Sequence, residues 1–398
     1  MDSRFRGNLR NFMKIGILCY PTYGGSGVVA TELGIELAAR GHTVHFISYS
    51  MPMRLNMSFS DNISFHKVEM ASYPLFDFSL YSLALASKIV EVAKFNGLDL
   101  VHAHYAIPHA TSAYLAREII KEEVLSKKKN NRNIKIITTL HGTDITLTGL
   151  EISFLPTMKF SIQKSDGVTA VSEFLKTKTQ SQYEIQKDIR VIPNFINQEI
   201  YKKIQNKETE CLKERLSKNG EKILVHTSNF RPLKRVDDAI RIFKLINEKI
   251  PSKLLLIGDG PERSKCEYLA KELGVDNDVK FYGEQESFTE ILSIADLFLM
   301  PSQSESFGLS ALEAMACGVP VISSNAGGLP ELNLHGETGY IAEIGDVDKM
   351  ADYALSLLED PNKYKIFAEN ALERATTLFS SEKIISQYEK YYEEVLNT

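Results

Sequence analysis

Two glutamates eight positions apart, Glu305 and Glu313, stand in the segment Pro301–Pro320, PSQSESFGLSALEAMACGVP. Its pattern predicts a strand ending at Ser302, a loop holding Glu305, and a helix from near Gly308 to Gly318. The free N–H groups of a helix N-terminus are a ready anion site. Gly308 and Leu309 would bring backbone close to such a ligand, with Phe307 beside them. Glu313 falls about 7.5 Å further along the helix axis. An ionised carboxylate only accepts hydrogen bonds, so a pair flanking a phosphate site suits sugar hydroxyls, one on a hexose and one on a ribose. The plainer alternative is that Glu305 complements the helix dipole and Glu313 is solvated.

A second set of polar residues gathers in the first half of the chain. Tyr23-Gly-Gly-Ser-Gly27, with Gly25 and Ser26 at its centre, precedes a helical stretch, so its backbone can contact an anion. His102-Ala-His104-Tyr105-Ala-Ile-Pro-His109 and Thr138-Thr139-Leu-His141-Gly-Thr-Asp144 each fall at a strand end. A lone histidine is more often structural than catalytic. Two strand ends carrying His, Tyr and Thr together point to a site.

These residues need a scaffold that brings strand ends together, and the chain alternates strand with helix throughout. Apolar runs at Lys14–Cys19, Thr43–Ser48, Leu98–Ala103, Ile134–Leu140, Gly167–Ala170 and Arg190–Ile192 read as buried parallel strands. Between the first two, Val28–Arg40 has helical spacing and Gly41 ends it. After a Lys-, Glu- and Asn-rich interval at 202–221 the alternation restarts, with strands at Ile223–Thr227, Lys253–Ile257, Val279–Tyr282, Leu297–Met300 and Val319–Ser323. The expected fold class is α/β: two Rossmann-like, doubly wound domains facing across a cleft, with ligands at the carboxyl ends of the strands. Residues 13–205 form the first domain and 220–380 the second. Residues 1–12 are a basic extension, and the helix near 381–398 carries an apolar stripe suited to core packing.

Composition narrows the partners. The 398 residues are 43% apolar and 24% charged, and the net charge of −5 argues against nucleic acid. Four scattered cysteines form no CxxC pair and no metal-ligand spacing, and read as reduced thiols. No apolar run approaches the roughly 18 residues of a membrane span. The run Lys127–Asn133 is basic but lacks interleaved apolar residues, so it reads as a solvated loop and not as a membrane surface. A cytoplasmic protein without stable membrane association is expected.

Several of these stretches, in order, resemble glycosyltransferase family 4. Glu305-Ser-Phe-Gly-Leu-Ser-Ala-Leu-Glu313 is similar to its E-x7-E signature and Gly318-Val-Pro-Val to the usual continuation. Gly258-Asp-Gly260-Pro is similar to its nucleotide-site turn, Phe281-Tyr282-Gly283 to its base-contacting strand end, Asn325–Glu331 to its GG-x-x-E loop, and Pro193-Asn194 to its P-N motif. The resemblance implies a GT-B fold whose last helix crosses back onto the first domain, and a donor bound without an obligatory metal. The family's Arg and Lys stand five apart; here Asn229-Phe-Arg231-Pro-Leu-Lys234-Arg235 puts Asn at the Arg position, leaving Arg231 or Arg235 to bind pyrophosphate.

CYPTYGGSGVVATELG, HAHYAIPHA, TLHGTD and NFRPLKRVDD further resemble a subgroup acting in bacillithiol biosynthesis. It transfers GlcNAc from UDP-GlcNAc to the hydroxyl of L-malate with retention. On that resemblance Gly25, Gly260, Tyr282, Glu305, Phe307, Gly308, Leu309 and Glu313 bind the donor. Ser26, Tyr105, Thr139, His141 and, more weakly, Asn194 bind the acceptor. His141, Arg231, Lys234 and Glu305 form the catalytic set, with Glu305 a binding carboxylate and not a nucleophile, and a front-face route is expected. A homodimer is compatible with all of this. The alternatives are a lipid or polysaccharide acceptor, or a nucleotide-sugar-binding protein without transfer.

Overall fold

The computed structural model describes residues 12–22, 24–55, 60–70, 80–127, 133–143, 145, 152–285 and 288–398. Nearly all of the N-terminal extension, Tyr23, most of the Lys127–Asn133 run and Asp144 lie outside these residues. Contacts divide the chain into two units, one of residues 1–171, 176–192 and 385–398, the other of 172–175 and 193–384. The division falls at Pro193, ahead of the polar interval 202–221. Within that interval, helix Lys207–Leu216 opens with Asn206 capping Thr209 and belongs to the second unit.

The first unit is built on strands β1 (Lys14–Leu18), β2 (Thr43–Ser48), β3 (Ile63–Lys67), β4 (Leu100–His104), β5 (Lys135–Leu140), β6 (Gly167–Ala170) and β7 (Arg190–Val191). They form one parallel sheet in the order β3-β2-β1-β4-β5-β6-β7. Most of its strands are nearly continuous apolar runs because helices cover both faces. β3 was not among the expected strands. As an edge strand of sequence ISFHK it is only half-buried, so it carries no apolar run to read. The stripe of the last helix, Ser381–Leu396, is core: Ile385, Tyr388, Tyr391, Tyr392 and Val395 are buried in this unit. Tyr391 Oη accepts from Val168 N at 2.8 Å, and its ring packs where Gly167 has no side chain.

In the second unit β8 (Lys222–Thr227), β9 (Ser252–Ile257), β10 (Val279–Gly283), β11 (Leu297–Met300), β12 (Val321–Ser324) and β13 (Gly339–Ala342) form a parallel sheet in the order β10-β9-β8-β11-β12-β13. One apolar core runs from Leu224 and Phe243 through Leu256 and Leu299 to Leu357. β13, GYIA, was also unexpected, because four residues opening on glycine give no pattern.

Both sheets are doubly wound, and both reverse direction beside their first strand. The first does so between β1 and β4, the second between β8 and β11. Neighbouring loops there lead away to opposite sides of the sheet and leave a crevice at the strand ends, where such folds bind ligands. The switch points therefore say where to look.

Candidate active site

At the second switch point the loop after β8 carries Arg231 and Lys234, and the loop after β11 carries Ser302 and Glu305. Lys234 Nζ and Glu305 Oε1 form an ion pair, and Ser302 Oγ donates to the same oxygen at 2.9 Å. Both charged side chains are largely buried, at 19% and 10% exposure. Among the described residues, two ammonium protons of Lys234 and the second oxygen of Glu305 have no hydrogen-bond partner. Under them His226 ties the two strands, donating from Nδ1 to Leu299 O at 2.8 Å while Nε2 accepts from Ser228 Oγ at 2.8 Å. Burial pushes the His226 pKa down to about 4 and nearby Lys234 adds to this, so the ring is neutral at pH 7.

The next loop is shaped by glycines. Helix Leu309–Ala316 opens at Gly308 with φ +99°, and a β-carbon there would lie 2.5 Å from Leu329 Cδ2. The first amides of this helix, at Leu309 and Ser310, have no intrahelical acceptor. Gly327, at φ +59°, lies so close to Glu305 that a β-carbon would be 1.8 Å from its carbonyl oxygen, and Gly328 N donates to that oxygen at 2.9 Å. The GG pair thus seats the backbone that carries Glu305. Gly327→Ala is expected to cost about 2 kcal/mol or more of second-unit stability, measured by urea unfolding, because strained φ and a backbone clash add. A cost below half of that would show that the loop yields.

The other donor-side residues are placed as follows. Glu313 is 5% exposed inside its helix, which excludes a solvated role. The Phe307 ring is buried edge-on against Phe379, 5.5 Å between centroids, so only its backbone is left for a ligand. Gly260, at φ +155°, lies over Asn229, and Tyr282 is half-buried on the edge strand β10. Arg235 is committed to Asp238, both Nε and Nη2 lying 2.6 Å from Oδ2. Arg231 is exposed; its carbonyl accepts from Lys234 N at 2.8 Å, and its guanidinium makes no hydrogen bond or ion pair among the described residues. Of the two guanidinium groups, that of Arg231 is the one exposed to solvent without an ion-pair partner among the described residues.

At the first switch point the loop after β1 opens helix Gly25–Ala39. Gly25 is exposed there, and Ser26 Oγ lies 2.5 Å from Tyr105 Oη. Tyr105 follows β4 with φ +107°, a strained conformation for a tyrosine, held by a bond from its N to Thr139 O at 3.0 Å. His141, after β5, lies between two rings: His104 at 5.1 Å and Tyr105 at 5.5 Å between centroids. Thr139 departs from its expected role. Its Oγ1 is fully buried, 2.6 Å from both His102 Nε2 and Thr169 Oγ1, because its side chain points into the sheet face that packs on the last helix. Its fully buried side chain offers no surface to a ligand in this structure. Asn194 is nearly buried and groups with the second unit.

His102 and His104 stood in the strand-end motif without a role of their own, and His226 was not singled out by the sequence. The signal available was a polar residue recurring inside an otherwise apolar strand. Glu331, known until now only as a motif member, accepts from Glu173 N at 2.9 Å and Phe174 N at 2.7 Å, capping helix Glu173–Tyr183. Among the described residues no three His, Cys, Asp or Glu side chains are grouped to hold a metal ion, and no helix is long and apolar enough to cross a membrane.

Two doubly wound parallel domains in succession, each with ligand-ready polar groups at its switch point, define a GT-B protein. Anabaena Alr3699/HepE, solved with UDP-glucose, is similar over 96% of this chain and 100% of its own, with a TM-score of 0.78 and 21% identity. The sucrose-phosphate synthase of Thermosynechococcus elongatus gives 0.76 and 23% over 97% and 99%. Residues 23–200 match the sequence profile described as Glycosyltransferase Family 4, and 207–374 that of Glycosyl transferases group 1. The N-acetyl-alpha-D-glucosaminyl L-malate synthase of Bacillus anthracis is 48% identical over 384 residues, 96% of this chain and 97% of its own. The chain belongs to glycosyltransferase family 4.

Proposed function

We propose that this chain transfers GlcNAc from UDP-GlcNAc to the hydroxyl of L-malate with retention, forming N-acetyl-alpha-D-glucosaminyl L-malate in the first step of bacillithiol biosynthesis. The observation that carries the assignment is the 48% identity, along almost the whole of both chains, with a relative named for that product. The site chemistry supports it. In the second unit Arg231, Lys234 and the amides of Leu309 and Ser310 suit a diphosphate, while Glu305 and Glu313 offer acceptors to sugar hydroxyls. In the first, the amides opening helix Gly25–Ala39, the hydroxyls of Ser26 and Tyr105, and His141 offer the donors that a dicarboxylate needs. Both substrates are small and soluble, which fits a cytoplasmic enzyme.

The chemistry follows a front-face course. The bond from the anomeric carbon to the β-phosphate oxygen breaks, the malate hydroxyl oxygen bonds to the same face, and the departing phosphate oxygen takes the hydroxyl proton. Glu305 is engaged by Lys234 and Ser302, and the rings flanking His141 are imidazole and phenol, so neither place supplies a nucleophilic carboxylate. Arg231, Lys234 and the helix amides stabilise the charge developing on UDP, and no metal ion is assigned a role. Incubation with UDP-GlcNAc and L-malate should release UDP and an α-linked glycoside in equal amounts, read by chromatography and proton NMR. UDP release that ignores malate, or product formed only with a lipid or polysaccharide acceptor, would reject the assignment.

A further inference from the structure

A neutral imidazole has one donor and one acceptor nitrogen, so a bond between two such rings couples their tautomers. His104 Nδ1 and His141 Nε2 lie 2.8 Å apart, with the rings only 23° from parallel. Burial pushes the pKa of His141 down to about 3 and that of His104 well below its ordinary value, so neither ring is charged at pH 7. Two arrangements remain. Either His104 donates from Nδ1 and His141 keeps its own proton on Nδ1, or His141 donates from Nε2 and presents a bare lone pair at Nδ1. The first meets a ligand as a donor, the second as an acceptor.

The far side of His104 separates them. Among the described residues its Nε2 is buried without a hydrogen-bond partner. The rings around it offer none: His102 is committed at both nitrogens, to Tyr392 Oη at 2.7 Å and Thr139 Oγ1 at 2.6 Å. His109 Nδ1 donates to the His104 carbonyl at 2.6 Å. In the second arrangement Nε2 carries a proton, and an unpaired N–H is buried. In the first only a lone pair goes unused, which proteins tolerate more readily than an orphaned donor.

We propose that His104 is a positioning residue that donates from Nδ1 to His141 Nε2 and so fixes His141 as an Nδ1–H donor toward a substrate oxygen, a hydroxyl or a carboxylate. His141 then orients the substrate and is not equipped to take a proton from it. The inference rests on His141 facing substrate, as in the proposed function; the bond to His104 stands apart from which substrate that is.

Nitrogen-15 NMR of histidine-labelled protein tests this, with the His141 signals assigned by their loss in His141→Ala. Nδ1 should be the protonated nitrogen of His141 in the wild type, and a proton on Nε2 overturns the proposal. His104→Asn, whose amide can place a donor near the Nδ1 position, should keep that tautomer and most of kcat. His104→Phe should give mixed tautomers and lower kcat about tenfold or more with little change in KM. Equal kcat in His104→Phe and the wild type overturns it too. The tautomer is read whether or not UDP-GlcNAc and malate turn over, so its failure is distinct from failure of the substrate assignment.

Discussion

Lys234→Ala lowers turnover by about 10²–10³-fold, the range found when one preorganised group facing transition-state charge is removed. The ammonium sits at the switch point between β8 and β11, where the leaving diphosphate is proposed to lie. Its loss also strands the Glu305 carboxylate, 10% exposed, with the Ser302 hydroxyl as its remaining partner. A buried charge without its counter-ion is costly, so the variant should lose about 1–3 kcal/mol of stability as well. Adding Glu305→Gln removes that stranded charge. The double variant should therefore regain stability relative to Lys234→Ala while turnover stays low, because the positive charge is still missing. Steady-state kinetics and urea unfolding of the four proteins in the cycle separate the two effects. Recovery of turnover in the double variant would show that Lys234 serves only to neutralise Glu305.

Acidification from pH 7 to 4 destabilises the first unit steeply. Burial pushes His102 and His141 down to about 3 and His109 to about 4, and His104 also falls well below its ordinary value. His45 is held at about 4 by burial first and then by His66 and Lys14. The sign follows from proton counting. Between the folded values and the unfolded value near 6.5 the unfolded chain binds protons that the folded chain refuses, so stability falls as pH falls. Each such histidine contributes up to about 1.4 kcal/mol per pH unit in that window. The three with the lowest printed values and complete burial give a slope of about 4 kcal/mol per unit near pH 5, large beside a typical total of roughly 5–15 kcal/mol. The second unit has one such ring, His226. Hydrogen exchange should report the first unit opening before the second, and Tm should drop sharply between pH 6 and 4.5. A flat Tm across that range would mean that the histidines are hydrated and titrate normally.

These two experiments bear on features of different legibility. The Glu305–Glu313 segment was readable because a helix start, a glycine and two carboxylates are local signals. The alternation of strand and helix was equally plain, since strands covered on both faces must be continuously apolar. β3 and β13 escaped because an edge strand needs no such run.

Sequence by itself determined the two doubly wound domains, the strand-end location of the polar motifs, and the family through its ordered motifs. Tertiary structure alone decided which of those groups meet. Lys234 and Glu305 are 71 positions apart, and His104 and His141 are 37 apart. They become partners because sheet order makes β11 the neighbour of β8 and β5 the neighbour of β4. The same packing assigned Arg235 to Asp238 and left Arg231 open, and it turned Thr139 inward under the last helix. Spacing along a chain encodes local periodicity and turns. Side-chain partnership depends on which strands lie side by side and on what burial leaves exposed.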